Sequence, residues 1–382
     1  MSNKLIYVDN STIGSVHELF NATSLKMFSE IYDEVIYYTS RSVKKNTFRI
    51  IQNKTINVRY KFLPIIHWDD KGGYFLSSFF SMLTSCYVIF KSSKKDIIFF
   101  NYTVLWAFPA INILTKILNR KIILMFHGEL EYLYKPFPLN SVSKKALEKL
   151  KSEKFTPPKG MYFCVLGESI KRNIATYVST KVNKKIISFE HSLINTEQIK
   201  LNKVNDGIIR IGCIGELRKE KGILENILKI SNLLKLKQNI KLLCIGRVYY
   251  DKNILNQEGI EIVSDSDTRS LTRTEMDNAI SKLDYILFVN PEDSYKLRAS
   301  GALYDAIDNE KPILSLKNDY FNEIFTQNKD IGHLFENEKE LVKFINNIDY
   351  SNLNVDYKMI KQNLITKSRL KFKKELEKID FI

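Results

Sequence analysis

The chain has 382 residues, 44% of them hydrophobic, with a net charge of +15. That length calls for two domains, each able to bury a core, and the ordinary apolar content excludes a disordered chain. The charge suits phosphorylated substrates or anionic lipid as well as a simple solvated lysine surface. Nucleic acid is set aside, because no Lys/Arg block reaches the length of a binding tail and no RNA-module signature interleaves basic with aromatic residues.

The first residues enter a strand directly, without the apolar core and cleavage site of a signal peptide, and a cytoplasmic location is expected. Short apolar runs at 5–8, 35–38, 58–62, 97–100, 122–126, 162–166 and 186–189 are rich in Ile, Val, Phe and Tyr. Polar or Gly residues bound each of them, as for buried parallel strands. Helices are expected around 15–30, 74–92, 103–119, 143–153 and 168–181. The stretches 74–90 and 97–114 resemble membrane spans only superficially. The first is short and rich in Ser/Thr, the second is broken by Asn101, Pro109 and Asn112, and neither exceeds the roughly 20 residues a spanning helix needs. Seven strands with intervening helices predict a doubly wound sheet over residues 1–201.

Residues 202–207 are polar and lack periodicity, and read as a linker. The pattern then restarts, with runs at 208–214, 240–245, 260–263, 285–289, 312–316 and a weaker one near 331–335. Helices are expected around 221–236, 272–283, 301–310, 319–327 and 337–347. This predicts a second, smaller doubly wound domain over 202–356. Residues 357–382 read as a charged amphipathic helix that either stands alone or crosses back to the first domain. The fold class is α/β, with two Rossmann-like domains facing across a cleft, and ligands are expected at the carboxyl ends of both sheets. Cys86, Cys164, Cys213 and Cys244 are scattered without metal spacing and read as buried thiols.

Chemistry is therefore sought in the strand-to-helix loops. In 284–316 a polar loop leads into a helix that opens at Ser300-Gly301. Ser300 is a good N-cap, Gly301 admits a ligand close to the backbone, and the free N–H groups there favour an anion. Arg298 stands two residues upstream, and Asp305 lies one turn inside. In Gly212-Cys213-Ile214-Gly215-Glu216-Leu217-Arg218-Lys219-Glu220-Lys221-Gly222, Gly215 permits a tight turn and Lys221 puts a compact cation at a helix start, as phosphate binding needs. Arg247 ends another strand of the same domain and either points into the crevice or lies exposed. Phe126-His127-Gly128-Glu129 leaves a first-domain strand and places His127 to meet substrate. His191 near the domain junction suits hinge packing, and His17, His67 and His333 are expected to be structural. The Asp265-Ser266-Asp267 triplet is better read as a helix cap than as a metal ligand. The loop 10–15, with one glycine, is a weaker crevice candidate.

These features together resemble the GT-B fold glycosyltransferases, in particular the retaining group that uses sugar nucleotides (family four and its relatives). The strand count, His127 in its loop, the Gly215…Lys221-Gly222 loop and the segment 300–314 carry the resemblance, which spans nearly the whole chain and is most specific in the second domain. It implies that Lys221 binds the donor diphosphate. Glu216 stands where the family commonly has an arginine, so the second cation is Arg218, Arg247 or Arg298. The family's pair of acids eight residues apart falls on Leu297 and Asp305. Asp305 can hold ribose hydroxyls, whereas Leu297 cannot contact the sugar, and Glu292 or Asp293 are the substitutes. The run Arg298–Ala306 looks like a divergent branch found in bacterial surface-polysaccharide enzymes.

The implied activity is hexosyl transfer from a nucleotide-diphosphate sugar to a glycan or lipid-linked acceptor. It would proceed with retention and without a cofactor or required metal, with His127 at the reacting centre and Glu129 placing the acceptor. Peripheral contact with anionic membrane is also implied, through clusters such as Arg41…Lys44-Lys45 and Lys91…Lys94-Lys95 beside the aromatic segment 74–90. The rivals are a nucleotide-sugar epimerase of the same architecture, a non-catalytic nucleotide-sugar-binding subunit and, third, a basic nucleic-acid-binding protein, which would bind with steep salt dependence and no nucleotide preference.

Overall fold

The computed structural model describes residues 4–381 except 13, 15, 16, 52–55, 66–72, 103, 136–140, 194–205, 218–221, 235–238, 250, 251, 258, 264–270, 349–355 and 380. The chain divides into two units. One holds Met1–Ile194, Leu297–Ala299 and Leu364–Ile382; the other holds Asn195–Lys296 and Ser300–Asn363.

The first unit runs β1 (Lys4–Val8), α1 (Glu18–Ile31), β2 (Glu34–Thr39), α2 (Arg41–Ile51), β3 (Val58–Phe62), α3 (Gly73–Lys91), β4 (Ile97–Phe100) and α4 (Phe108–Leu118). It continues with β5 (Lys121–Met125), α5 (Ser141–Lys151), β6 (Met161–Leu166), α6 (Glu168–Ile174), α7 (Thr180–Asn183) and β7 (Ile186–Phe189). Among the described residues, seven parallel strands lie in the order β3-β2-β1-β4-β5-β6-β7. The order reverses between β1 and β4, the place where open α/β sheets leave a ligand crevice. The inner strands are buried on both faces, which is why they read as continuous hydrophobic runs; the edge strand β3, expected to be buried like them, instead leaves Arg59, Lys61 and Phe62 exposed.

The second unit runs β8 (Ile209–Ile214), α8 (Ile223–Leu234), β9 (Ile240–Ile245), α9 (Lys252–Gln257), β10 (Ile260–Val263), α10 (Arg273–Ser281), β11 (Tyr285–Phe288) and α11 (Gly301–Asp308). Then come β12 (Ile313–Leu316), α12 (Asp319–Gln327), β13 (Gly332–Phe335), α13 (Glu338–Asn346) and α14 (Tyr357–Lys378), whose residues from Leu364 onward belong to the first unit. Six strands, again all parallel, lie in the order β10-β9-β8-β11-β12-β13 among the described residues. The expected seven-plus-six arrangement of doubly wound sheets is therefore found.

Three helices differ from expectation. α2 is additional: Val43, Thr47 and Ile51 recur every four residues and are its buried stripe, in an otherwise basic and polar segment. α9 is a short addition. The expected 168–181 helix is two helices, with the buried Ser179 capping the second through the Val182 amide.

The first core gathers Tyr7, Phe28, Phe99 and Phe189, and Phe372 of α14 packs among them with ring centroids 4.9–6.0 Å from Phe28, Phe99 and Phe189. Such aromatic packing adds about 0.5–1.5 kcal/mol per pair beyond area burial. The second core contains Ile211, Cys213, Cys244, Leu287 and Leu314. Burial pushes the Cys213 thiol well up and the Cys244 thiol up to about 12, so both are inert protonated core residues.

Candidate functional site

In the second unit the loops after β8 and β9 are laced together. The Gly215 amide donates to the Ile245 carbonyl (2.8 Å), the Arg247 amide to the Gly215 carbonyl (3.1 Å), and the Leu217 amide to the Arg247 carbonyl (2.9 Å). A β-carbon on Gly246 would lie 2.3 Å from the Gly215 oxygen, and its φ of +124° is costly for other residues. The lacing fixes where Arg247 leaves the backbone. Its guanidinium stands over the Tyr249 ring (5.4 Å), and its Nε is buried without a hydrogen-bond partner. A buried guanidinium donor without an acceptor is costly to fold, which marks Nε, among the described residues of the loop pair, as an atom that lacks an anion.

The same loop pair borders the start of α11. A β-carbon on Gly215 would lie 3.7 Å from Ala302, whereas one on Gly301 would meet nothing within 4 Å. Ser300 caps α11, accepting from the Leu303 amide (3.4 Å), and leaves the open first turn facing outward at the exposed Gly301. Gly215, to whose carbonyl the Arg247 amide is bonded, thus adjoins the start of α11 at Ala302, and the open helix-start amides at Gly301 beside this loop pair are a candidate anion seat. Arg218 and Lys221, expected here, lie outside the described residues, as do His67 and the Asp265–Asp267 triplet.

Asp305 sits one turn along α11 and is held by Arg273 through Oδ1. Arg273 also reaches Asp277 (2.9 Å) and Asp308 (3.4 Å). Burial opposes charge on Arg273, but its three carboxylates outweigh that and raise its pKa. No sequence pattern linked Arg273 to Asp305, and it was missed. Asn290, two residues past β11, is buried with its Nδ2 unpartnered.

In the first unit, β5 delivers His127. Its Nε2 lies 2.8 Å from the Asn101 carbonyl oxygen, which can only accept, so Nε2 carries the proton. Burial, the neighbouring His17 and His191 pull the His127 pKa well below the ordinary value against this hydrogen bond. The ring is therefore neutral, with Nδ1 a lone-pair acceptor suited to a hydroxyl rather than an acid. The His17 ring stacks on it at 4.4 Å, and Phe20 meets both His127 (5.1 Å) and His191 (5.0 Å) edge-on. His17 was read as structural; the fold brings it onto the candidate catalytic ring from α1, 110 residues away. His333 packs on Phe344 (4.3 Å) in the other unit, as a structural histidine does.

Glu129 accepts from the His127 amide (2.8 Å), and burial raises its pKa. Glu131 pairs with Arg298 (3.2 Å), whose side chain would lie 3.4 Å from a β-carbon on Gly128. Arg298 therefore joins the His127 loop, and Leu297 beside it is fully buried. Among the described residues, no group of three or more His, Cys, Asp or Glu could hold a metal ion.

No protein-family model matches the sequence, and no curated protein matches it. Solved structures do resemble the whole chain. HepE of Anabaena in complex with UDP and glucose matches with a TM-score of 0.62 at 10% identity, over 99% of this chain and 100% of that one. TarM matches at 0.65 and 11%, over 100% and 99%; a further structure of S. aureus TarM contains fondaparinux, alpha-GlcNAc-glycerol and UDP. A glycosyltransferase of Rickettsia africae matches at 0.58 and 15%, over 99% and 98%. With its two parallel sheets of seven and six strands, the chain has the two-domain Rossmann-like GT-B fold.

Proposed function

We propose that the chain is a glycosyltransferase that moves a hexose from a nucleotide-diphosphate donor to a glycan or lipid-linked acceptor in bacterial surface-polysaccharide synthesis (capsule, O-antigen or exopolysaccharide). It acts with retention, without a metal, at the cytoplasmic face of the membrane. The unpartnered Arg247 Nε, on a loop laced to Gly215 in the unit that also presents the open turn at Ser300-Gly301, carries this reading, because a donor diphosphate would supply the anion it lacks. The UDP-containing structures that share the fold support it.

The reading assigns the following roles. Among the described arginines Arg247 is the better second cation to accompany Lys221, since its Nε lacks a partner whereas Arg298 is paired with Glu131; Arg218 is the remaining alternative. The α11 amides and these cations stabilise the departing diphosphate as the acceptor hydroxyl attacks from the same face, and that electrostatic assistance is the main catalytic term. Asp305, held by Arg273 through one oxygen, offers the other to ribose hydroxyls. His127 Nδ1 accepts from a sugar hydroxyl, and Glu129 places the acceptor while fixing the His127 backbone.

The test is a thermal-shift comparison of UDP, GDP, ADP and CMP on wild type, Lys221→Ala and Arg247→Ala, followed by product analysis with donor sugar and acceptor glycans. A ligand at 100 times its Kd stabilises the folded state by about 2.7 kcal/mol. One diphosphate should stand out and lose its shift in both variants. Turnover of donor sugar into its epimer without acceptor would instead identify an epimerase, and tight binding without turnover a binding subunit.

A further inference from the structure

Asp9, Asn21 and Asn101 form a fully buried chain of hydrogen bonds whose direction is set by its first member. The Asp9 carboxylate, directly after β1, accepts from the Thr12 amide (3.2 Å), the Thr12 hydroxyl (2.5 Å) and Asn21 of α1 (2.7 Å). A carboxylate only accepts, so Asn21 turns its Nδ2 to Asp9 and its Oδ1 the other way. That Oδ1 takes the Tyr7 hydroxyl (2.9 Å) and Asn101 Nδ2 (2.6 Å). Asn101 is thereby turned as well: it faces Asn21 with its nitrogen, and its Oδ1 is left buried without a donor. A chain that served only packing would close on a partner, because an orphaned buried acceptor is costly.

The place of the orphan says what kind of partner it lacks. Asp9 and Asn101 follow β1 and β4, the two strands between which the sheet order reverses, at the carboxyl ends where such sheets take ligands. The Asn101 amide continues the ladder to the Val8 carbonyl (2.8 Å), while its own carbonyl leaves the ladder for His127 Nε2 (2.8 Å). His127 comes from β5, the neighbour of β4, and keeps Nδ1 as a lone-pair acceptor. Two acceptors on adjacent strand ends call for a ligand that donates, as hydroxyls do. An anion is disfavoured, since Asp9 accepts from neutral groups only and Arg298 on the His127 loop is engaged by Glu131 (3.2 Å). An ammonium is disfavoured by the same burial that keeps His17 and His127 neutral.

We propose that Asn101 Oδ1 binds substrate: beside His127 it accepts a hydroxyl of an uncharged sugar, and Asp9 and Asn21 are positioning residues that keep an acceptor rather than a donor at that spot. The assignment rests on the sugar contact proposed above for His127, yet its test needs neither nucleotide nor turnover, so the two can fail separately. The full chain, 15N-labelled in its five histidines, is titrated with glucose, galactose and mannose and with their three uronates. At least one hexose should move the His127 Nδ1 resonance upfield, as for a lone pair that takes a hydroxyl, and its uronate should bind roughly tenfold or more weaker. Asn101→Ala should weaken that hexose by about three- to tenfold. Its thermal midpoint should stay near wild type, because Asn21 Oδ1 keeps the Tyr7 hydroxyl. Asp9→Asn frees the chain of amides to reverse and present Asn101 Nδ2, so the preference for hexose over uronate should shrink or invert, which a purely structural role would not produce. No movement of the His127 signal with any of the six sugars, equal affinity for hexose and uronate, or unchanged hexose affinity in Asn101→Ala overturns the assignment. Nucleotide binding without hexose binding overturns it alone; hexose binding lost in Asn101→Ala, without any nucleotide shift, upholds it and removes the glycosyl-transfer reading.

Discussion

His17 and His127 stack with ring centroids 4.4 Å apart, one from the start of α1 and the other from the end of β5. Two imidazoles at that distance cannot both be charged without strong repulsion, and burial holds both below their ordinary pKa. His17 adopts the left-handed backbone conformation, φ 58°, and its Nδ1 is buried without a partner. The pair is a neutral aromatic platform rather than a proton relay.

The pH dependence of stability follows. Below the ordinary histidine value of 6.5 the unfolded chain takes up protons that the folded rings refuse, so stability falls as pH drops from about 6.5 toward the depressed folded values. The slope is at most about 1.4 kcal/mol per pH unit for each ring. Glu129, raised by burial, acts with the opposite sign: acidification from its folded value down to 4.5 restores stability. His17→Gln/His127→Asn should flatten the midpoint-versus-pH profile near pH 6, leaving a weaker same-sign contribution from the half-buried His333. An unchanged slope would refute the neutral pair.

The strands were legible because parallel strands buried on both faces are unbroken apolar runs, as at Ile97–Phe100 and Ile186–Phe189. Ser300 was legible for a local reason, since an N-cap bonds within its own first turn. α2 was not, because its buried stripe is interrupted by Lys, Asn and Arg and contains a threonine. The long-range pairs were also invisible. Nothing near Arg273 announces Asp305, and nothing near Arg298 announces Glu131. The stacking of His17 on His127 was equally invisible, because a lone histidine gives no sign of the ring it will meet.

Arg247→Ala should separate stability from binding. Its Nε gains no hydrogen bond in folding, so removal should leave stability within about 0.5 kcal/mol or raise it slightly. Charged hydrogen bonds to a diphosphate are each worth about 1.5–3 kcal/mol, and nucleotide affinity should drop roughly 10–100-fold. Lysine should not restore it, because the compact ammonium lacks the planar fork. Calorimetric titration with the diphosphate selected by thermal shift reads both variants; unchanged affinity would remove Arg247 from the site.

Two glycines should answer oppositely to alanine. Gly246→Ala drives a β-carbon into the Gly215 carbonyl at a positive φ, and should unlace the β8 and β9 loops at a cost of about 1–3 kcal/mol. Gly301→Ala meets no neighbour and stands at the first helical position, where alanine is the better helix former, so stability should hold or rise by several tenths of a kcal/mol. A larger residue, Gly301→Val, should keep the fold and weaken nucleotide binding if phosphate approaches that backbone. Chemical denaturation and nucleotide titration on the three variants decide between a packed glycine and a glycine kept clear for a ligand.

Arg273 offers the sharpest test of Asp305. Removing the guanidinium leaves Asp277, Asp305 and Asp308 facing one another without their common cation, and Arg273→Leu should cost about 3–5 kcal/mol. Lys361, which still binds the Asp308 carbonyl (2.6 Å), limits the loss on that side. Asp305→Asn relieves the crowding instead, so combining it with Arg273→Leu should recover part of the stability. Non-additivity in that double-mutant cycle would show that the two side chains act as a unit. The cycle read by nucleotide affinity then assigns the function. If Asp305 binds ribose, Asp305→Asn weakens nucleotide with ribose far more than inorganic diphosphate, and Arg273→Lys weakens the same ligand by loosening the carboxylate. If the two ligands respond alike, Asp305 serves only the packing of α10 on α11, and ribose is held elsewhere.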